Sequence, residues 1–149
     1  MNKIYKFKNN SMDLSIIIDS KINIINGDSA TGKTFFLNMI YVTITEESLR
    51  DGVKTNYDLD KTYVCLGRND IAGMYSREKN LIFIDRFDTI AIDSKTHEVN
   101  QKLIDFINKS NNIFVIMTRG TISGIKCRYS DIYELHSEKV NGIVKIYTE

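Results

Sequence analysis

The run Gly27-Asp28-Ser29-Ala30-Thr31-Gly32-Lys33-Thr34 puts four residues between two glycines and follows the second with an ammonium and a hydroxyl. Glycines let successive backbone N–H groups turn inward around an anion, and a following helix aims its positive N-terminus at the same place. Lys33 is then a point charge for β- and γ-phosphates, and the Thr34 hydroxyl is a ligand for Mg²⁺, which keeps most of its waters. An apolar strand, Ile22 to Asn26, runs into the loop, and the apolar-periodic run Phe35, Phe36, Leu37, Met39, Ile40 leaves it. Strand before and helix after is the context that makes this pattern a phosphate-binding loop, with residues 27 to 35 as its contacts.

Leu81-Ile82-Phe83-Ile84-Asp85 is an unbroken apolar strand ending in a carboxylate, the pattern of a buried parallel strand that delivers an acid to the sheet's carboxyl edge. Asp85 is read as the Walker B acid, holding Mg²⁺ opposite Thr34. Arg86 follows it, and Asp88 and Asp93 are the next acids that could reach attacking water. Ile113 to Met117 is another buried strand, ending in Thr118-Arg119 at the same edge. An arginine there can neutralise charge developing on a γ-phosphate. Arg68 has a weaker claim to the same role. His97, at a helix start, and His136, in a closing hairpin, read as surface residues. Asn108-Lys109-Ser110-Asn111 lacks the Asp of a guanine-reading motif and precedes a strand, which favours ATP over GTP.

The elements that position these groups follow from periodicity. Residues 3 to 8 alternate, Asn9-Asn10-Ser11 turns, and Asp13 to Asp19 is β-branched, giving an antiparallel hairpin before the loop strand. The helix after the loop is expected from about Gly32 to Arg50, with a break where Val42 to Thr45 is poor helix sequence. One or two strands fit residues 53 to 67, a short helix Asp70 to Lys79, and an amphipathic helix Ser94 to Ser110 with Val99, Leu103, Phe106 and Ile107 on one face. Gly120 to Arg128 is a polar, basic loop or short helix. Asn141-Gly142 closes a terminal hairpin.

This order resembles the nucleotide-binding core of P-loop NTPases of the ABC-type, SMC/RecF-like or AAA-type ATPases, across nearly the whole chain. The resemblance implies an α/β fold, three-layered, with a mainly parallel central sheet plus N- and C-terminal antiparallel hairpins, in a single domain over residues 1–149. It also implies that an aromatic near the chain start, Tyr5 or Phe7, stacks on adenine. The chain departs from that pattern in three places. Ala30 stands where the loop usually has Gly. Residues 50 to 80 hold no Leu-Ser-Gly-Gly-type signature or helical subdomain. Arg86 replaces the Glu that orients water.

Composition narrows the function classes. The chain has 149 residues, 42% hydrophobic and 26% charged, with net charge +1, so no overall basic field argues for nucleic acid or an anionic membrane. No apolar run approaches a bilayer span, and the start lacks a leader's apolar region, which places the expected protein in the cytoplasm. Cys65 and Cys127 fit no metal spacing and are expected as buried, inert thiols. The cofactors expected are ATP and Mg²⁺, the partner another protein, with self-association left open. Three functions remain: a slow ATPase or nucleotide-dependent switch with Arg119, Asp88 and Arg86 as the groups acting on the γ-phosphate; a non-hydrolysing ATP-binding interaction or inhibitor protein; or a small-molecule or nucleotide kinase whose lid carries Arg119, Lys126 and Arg128.

Overall fold

The computed structural model describes residues 3–26, 33–120 and 124–149, with Lys33 and Tyr129 described by their backbone alone. Among these residues nine strands join in one sheet: β1 (Ile4–Lys8), β2 (Met12–Ile17), β3 (Ile22–Asn26), β4 (Lys54–Thr55), β5 (Thr62–Cys65), β6 (Leu81–Ile84), β7 (Ile113–Thr118), β8 (Ile132–Val140) and β9 (Ile143–Thr148). Their order across the sheet is β4-β1-β2-β9-β8-β3-β7-β6-β5. The four helices are α1 (Lys33–Thr45), α2 (Ile71–Met74), α3 (Phe87–Ile90) and α4 (Gln101–Lys109).

β8, β3, β7, β6 and β5 run parallel, and β3, β6 and β7 are buried on both faces. The other half is a wing in which β4–β1, β1–β2 and β8–β9 are antiparallel. Alternate residues of β1 and β2 are buried, as expected of strands covered on one face. β2 pairs in parallel with β9, which welds the two hairpins expected at the chain ends into the same sheet.

The expected three-layer P-loop fold with a mainly parallel central sheet is therefore corrected to one mixed, curled sheet approaching a half-barrel, with few helices. Tyr5 on β1 and Phe83 on β6 measure the curl. Six strand spacings separate β1 from β6 in the order, roughly 29 Å at about 4.8 Å each in a flat sheet. Their ring centroids are nevertheless 5.3 Å apart, edge to face. The wing folds over the parallel half and shares the cover of that face with α1, through Phe36, Leu37 and Ile40. α4 covers the opposite face with Leu103, Ile104 and Ile107, helped by the single turns α2 and α3. Only α1 and α4 exceed one turn, so helices do not form complete layers.

Several boundaries move for local reasons. α1 ends at Thr45 within the β-branched stretch, and Arg50 caps it by donating to the Ile44 carbonyl at 2.9 Å and the Thr43 carbonyl at 3.4 Å. A 3-10 turn then runs Glu47–Gly52. α4 starts at Gln101 rather than Ser94, because Asn100 caps it by accepting from the Leu103 N–H at 3.1 Å. Residues 93–99 before it form an exposed excursion closed by an Ile92–Val99 bridge. Val99 is thus exposed instead of lying on the α4 face, and His97 sits in that excursion with φ 60° rather than at a helix start. Asn141 (φ 52°) and Gly142 (φ 82°) form the expected tight turn between β8 and β9.

Candidate functional site

Register brings the ends of three buried strands to one edge. Asn26 lies opposite Thr118, and Ile84, the last residue of β6, lies opposite Ile116. Asp85 therefore emerges beside Met117 and Thr118. It is 5% exposed, and its N–H donates to the Cys65 carbonyl at 2.9 Å. A cavity of about 160 Å³ opens there, walled by Thr34 from the first turn of α1, Asp85, Asp88 and Thr89 from α3, and Thr118 and Arg119 from the end of β7. Arg86 and Met117 complete the wall.

Residues 27–32 of the loop, and the Lys33 side chain, lie outside the described residues. The expected contacts of Gly27, Asp28, Ser29, Ala30, Thr31, Gly32 and Lys33 fall there. Thr34, by contrast, is exposed and faces the same cavity as Asp85, although the two come from distant parts of the chain. Phe35, next along, is 40% exposed. Among the described residues no cluster of three or more His, Cys, Asp or Glu could hold a metal ion. A hydroxyl and one carboxylate instead suit Mg²⁺, which takes few protein ligands and completes its shell with water and phosphate oxygens.

Arg86 is held in a left-handed conformation, φ 46°, ψ 51°. Its own N–H donates to Asp85 Oδ1 at 2.9 Å, its Nε lies 3.8 Å from Asp85 Oδ2, and Nη2 donates to the Leu66 carbonyl at 2.8 Å. The guanidinium thus sits against the Asp85 carboxylate. Asp88 is half-buried on the cavity wall. Asp93 is elsewhere: it accepts from the Lys95 and Thr96 N–H groups at 2.8 and 2.9 Å, bonds that lower its pKa and make it a turn acid. Thr118 donates its hydroxyl to the Gly120 carbonyl at 2.7 Å. Arg119 is exposed at the cavity rim. Arg68 is committed to the Thr89 and Ile92 carbonyls, at 2.8 and 3.0 Å, so it steadies the segment carrying Asp88 and Thr89.

Two expectations are corrected by burial. Tyr5 and Phe7 are both 0% exposed, inside the core under the wing, and Tyr5 packs its ring on Phe83 and Tyr57. Neither has a free face for adenine. Cys65 is buried, and desolvation, with the charges of Asp70 and Asp85 adding to it, pushes its thiol up to about 12. Cys127 is exposed, not buried as expected. Of the lid cations expected in a kinase, Arg128 is engaged with Asp131 at 3.2 Å and Ser20 at 3.0 Å. His136 lies at the surface hairpin, stacked on Tyr147 with centroids 5.4 Å apart.

No family model matches the chain, and no curated protein matches it. No helix among the described residues is long and apolar enough to cross a membrane. Thr89 and Met117 are cavity residues that no motif in the sequence announces. Thr89 lies on α3, which begins directly after the left-handed Arg86.

Proposed function

We propose that the chain binds a nucleoside triphosphate, ATP in preference to GTP, with Mg²⁺, and works as a slow ATPase or nucleotide-dependent switch on a protein partner. The observation that carries this reading is the meeting of Thr34 and Asp85 in one cavity. Thr34 is the hydroxyl directly after the lysine of the glycine-bearing loop, and Asp85 ends the buried strand, so the metal-side groups expected on either side of Mg²⁺ share a wall. Arg119 at the rim supplies charge toward a γ-phosphate, and Asp88, the second acid on the cavity wall, serves attacking water. Two unpaired cysteines accord with a reducing cytoplasm, where ATP and Mg²⁺ also abound.

A second reading, ATP held without turnover, draws on Arg86. A guanidinium cannot take a proton from water, and here it rests on Asp85 where relatives by resemblance carry a carboxylate. Incubation with γ-labelled ATP and Mg²⁺ separates the readings. Slow release of phosphate supports the switch, and retained intact ATP supports the holding protein. Label transferred to an added acceptor would support the kinase, and a chain that retains no nucleotide would sink all three.

A further inference from the structure

α3 is a single turn, Phe87–Ile90, yet it carries two residues of the candidate cavity, Asp88 and Thr89. One helical turn fixes several backbone torsions for few hydrogen bonds, so its place depends on contacts from outside. Phe87 and Ile90, three residues apart on one face, are both buried and seat the turn in the core. Further bonds come from the end of β5. At the start of the turn the Leu66 carbonyl accepts from Arg86 Nη2 at 2.8 Å. Past its other end Arg68 Nη2 donates to the Thr89 carbonyl at 2.8 Å and to the Ile92 carbonyl at 3.0 Å, where a finishing helix leaves carbonyls to be satisfied. Arg68 is itself set in place, because the Asp70 carboxylate accepts from the Leu66 and Gly67 N–H groups at 2.9 and 3.2 Å and folds Arg68–Asp70 into a 3-10 turn.

We infer that Arg68 is a positioning residue for hydrolysis: by holding the end of α3 from outside the cavity, it sets the place of Asp88 against attacking water. The inference rests on the slow-ATPase reading above. Arg68 does not wall the candidate cavity; with Ile90 and Ile92 it lines an open groove that shares no residue with that cavity. Its role is therefore exerted through α3 and not by contact with a phosphate. A guanidinium suits this task, because its planar fork of donors keeps fixed directions, whereas an ammonium on a flexible stem is a point charge. Misplacing a reacting group by about 1 Å can cost up to about a hundredfold in rate. Thr34 and Asp85, the metal-side groups, stand on other elements, so nucleotide affinity does not depend on where α3 rests.

Arg68→Met keeps the stem and removes the donors, and Arg68→Lys keeps the charge. On the full chain with γ-labelled Mg·ATP, single-turnover phosphate release should fall roughly tenfold or more in Arg68→Met, while the calorimetric Kd for Mg·ATP stays within about twofold. Arg68→Lys should recover part of the rate. A double variant separates action through Asp88 from general loosening. Asp88→Asn is slow by itself, and adding Arg68→Met to it should slow release little further. Rate losses that multiply in the double variant, a Kd that weakens as much as the rate falls, or an unchanged rate in Arg68→Met would each overturn the inference. Melting is followed for every variant, and should Arg68→Met fail to fold, Arg68→Lys with and without Asp88→Asn carries the same comparison. If the wild-type chain binds Mg·ATP and releases no phosphate, the inference falls with the slow-ATPase reading while ATP binding stands. If it binds no nucleotide, every reading of the site falls.

Discussion

Arg86 concentrates the chemistry of this chain at one residue. Its left-handed backbone turns the chain from β6 into α3, and its side chain occupies Asp85 and the Leu66 carbonyl. Arg86→Gly and Arg86→Ala both delete the guanidinium, but only alanine keeps a Cβ at positive φ. The alanine variant should therefore be less stable than the glycine variant by about 1 kcal/mol, read by urea denaturation. Equal stabilities would mean that the backbone relaxes out of the left-handed region. Asp85→Asn tests the metal side. It should weaken the Mg²⁺-dependent part of ATP binding and spare the remainder, and titrations with and without Mg²⁺ that respond alike would remove Asp85 from that role. Lys33→Ala should abolish most nucleotide affinity while leaving the melting temperature of the free chain in place.

At the scale of elements, short polar devices set where helices and strands begin. Asn100 caps α4, and Asn100→Ala should cost about 1 kcal/mol. Asp131 anchors the start of β8. It accepts from the Ser20 hydroxyl at 2.6 Å and from the Arg128 N–H and guanidinium at 3.2 Å. Burial works against its ionisation, yet the bonds from Arg128 and Ser20 outweigh it and hold the carboxyl below the ordinary aspartate value. A depressed folded value means that the carboxylate adds stability above the unfolded pKa, about 3.9, and loses it as pH falls through the lower folded value. Asp131→Asn should thus destabilise the chain at pH 7 by about 1–3 kcal/mol. The gap between variant and wild type should close below about pH 4, and a gap constant from pH 7 to pH 3 would show that Asp131 is not ionised in the fold.

The whole molecule joins a parallel half that carries the candidate site to a wing that curls over one face. Ligand binding to the folded state alone should stabilise the molecule by about 2.7 kcal/mol when free ligand is a hundredfold above Kd. Mg·ATP should accordingly raise the melting temperature, and no shift with any nucleotide would leave a loop without function. Turnover should be slow, on the order of 10⁻⁴ to 10⁻² per second, as in P-loop proteins whose transition-state groups are incomplete. Arg119→Ala should lower that rate more than it lowers ATP affinity, because charge on the γ-phosphate grows toward the transition state. Wild-type turnover of several per second would make Asp88, on the cavity wall, an effective water-positioning acid.

Local chemistry was legible in the sequence by itself. Apolar runs such as Leu81 to Ile84 and Ile113 to Met117 have no polar face to show solvent, so they became buried neighbouring strands that present Asp85 and Thr118 at one edge. Asn141-Gly142 made its turn because both residues tolerate positive φ. Tertiary structure decided the remainder. Whether Tyr5 and Phe7 face a ligand or a core depends on the curl that lays β1 against β6, a sum of small twists over many strands that no local pattern records. Val99 became exposed in the excursion closed by its bridge to Ile92, Cys127 also became exposed, and Arg68 and Arg128 became committed to Thr89 and Ser20, partners 21 and 108 residues away. Residue type states which bonds a side chain can make; only the fold determines which partners come within reach.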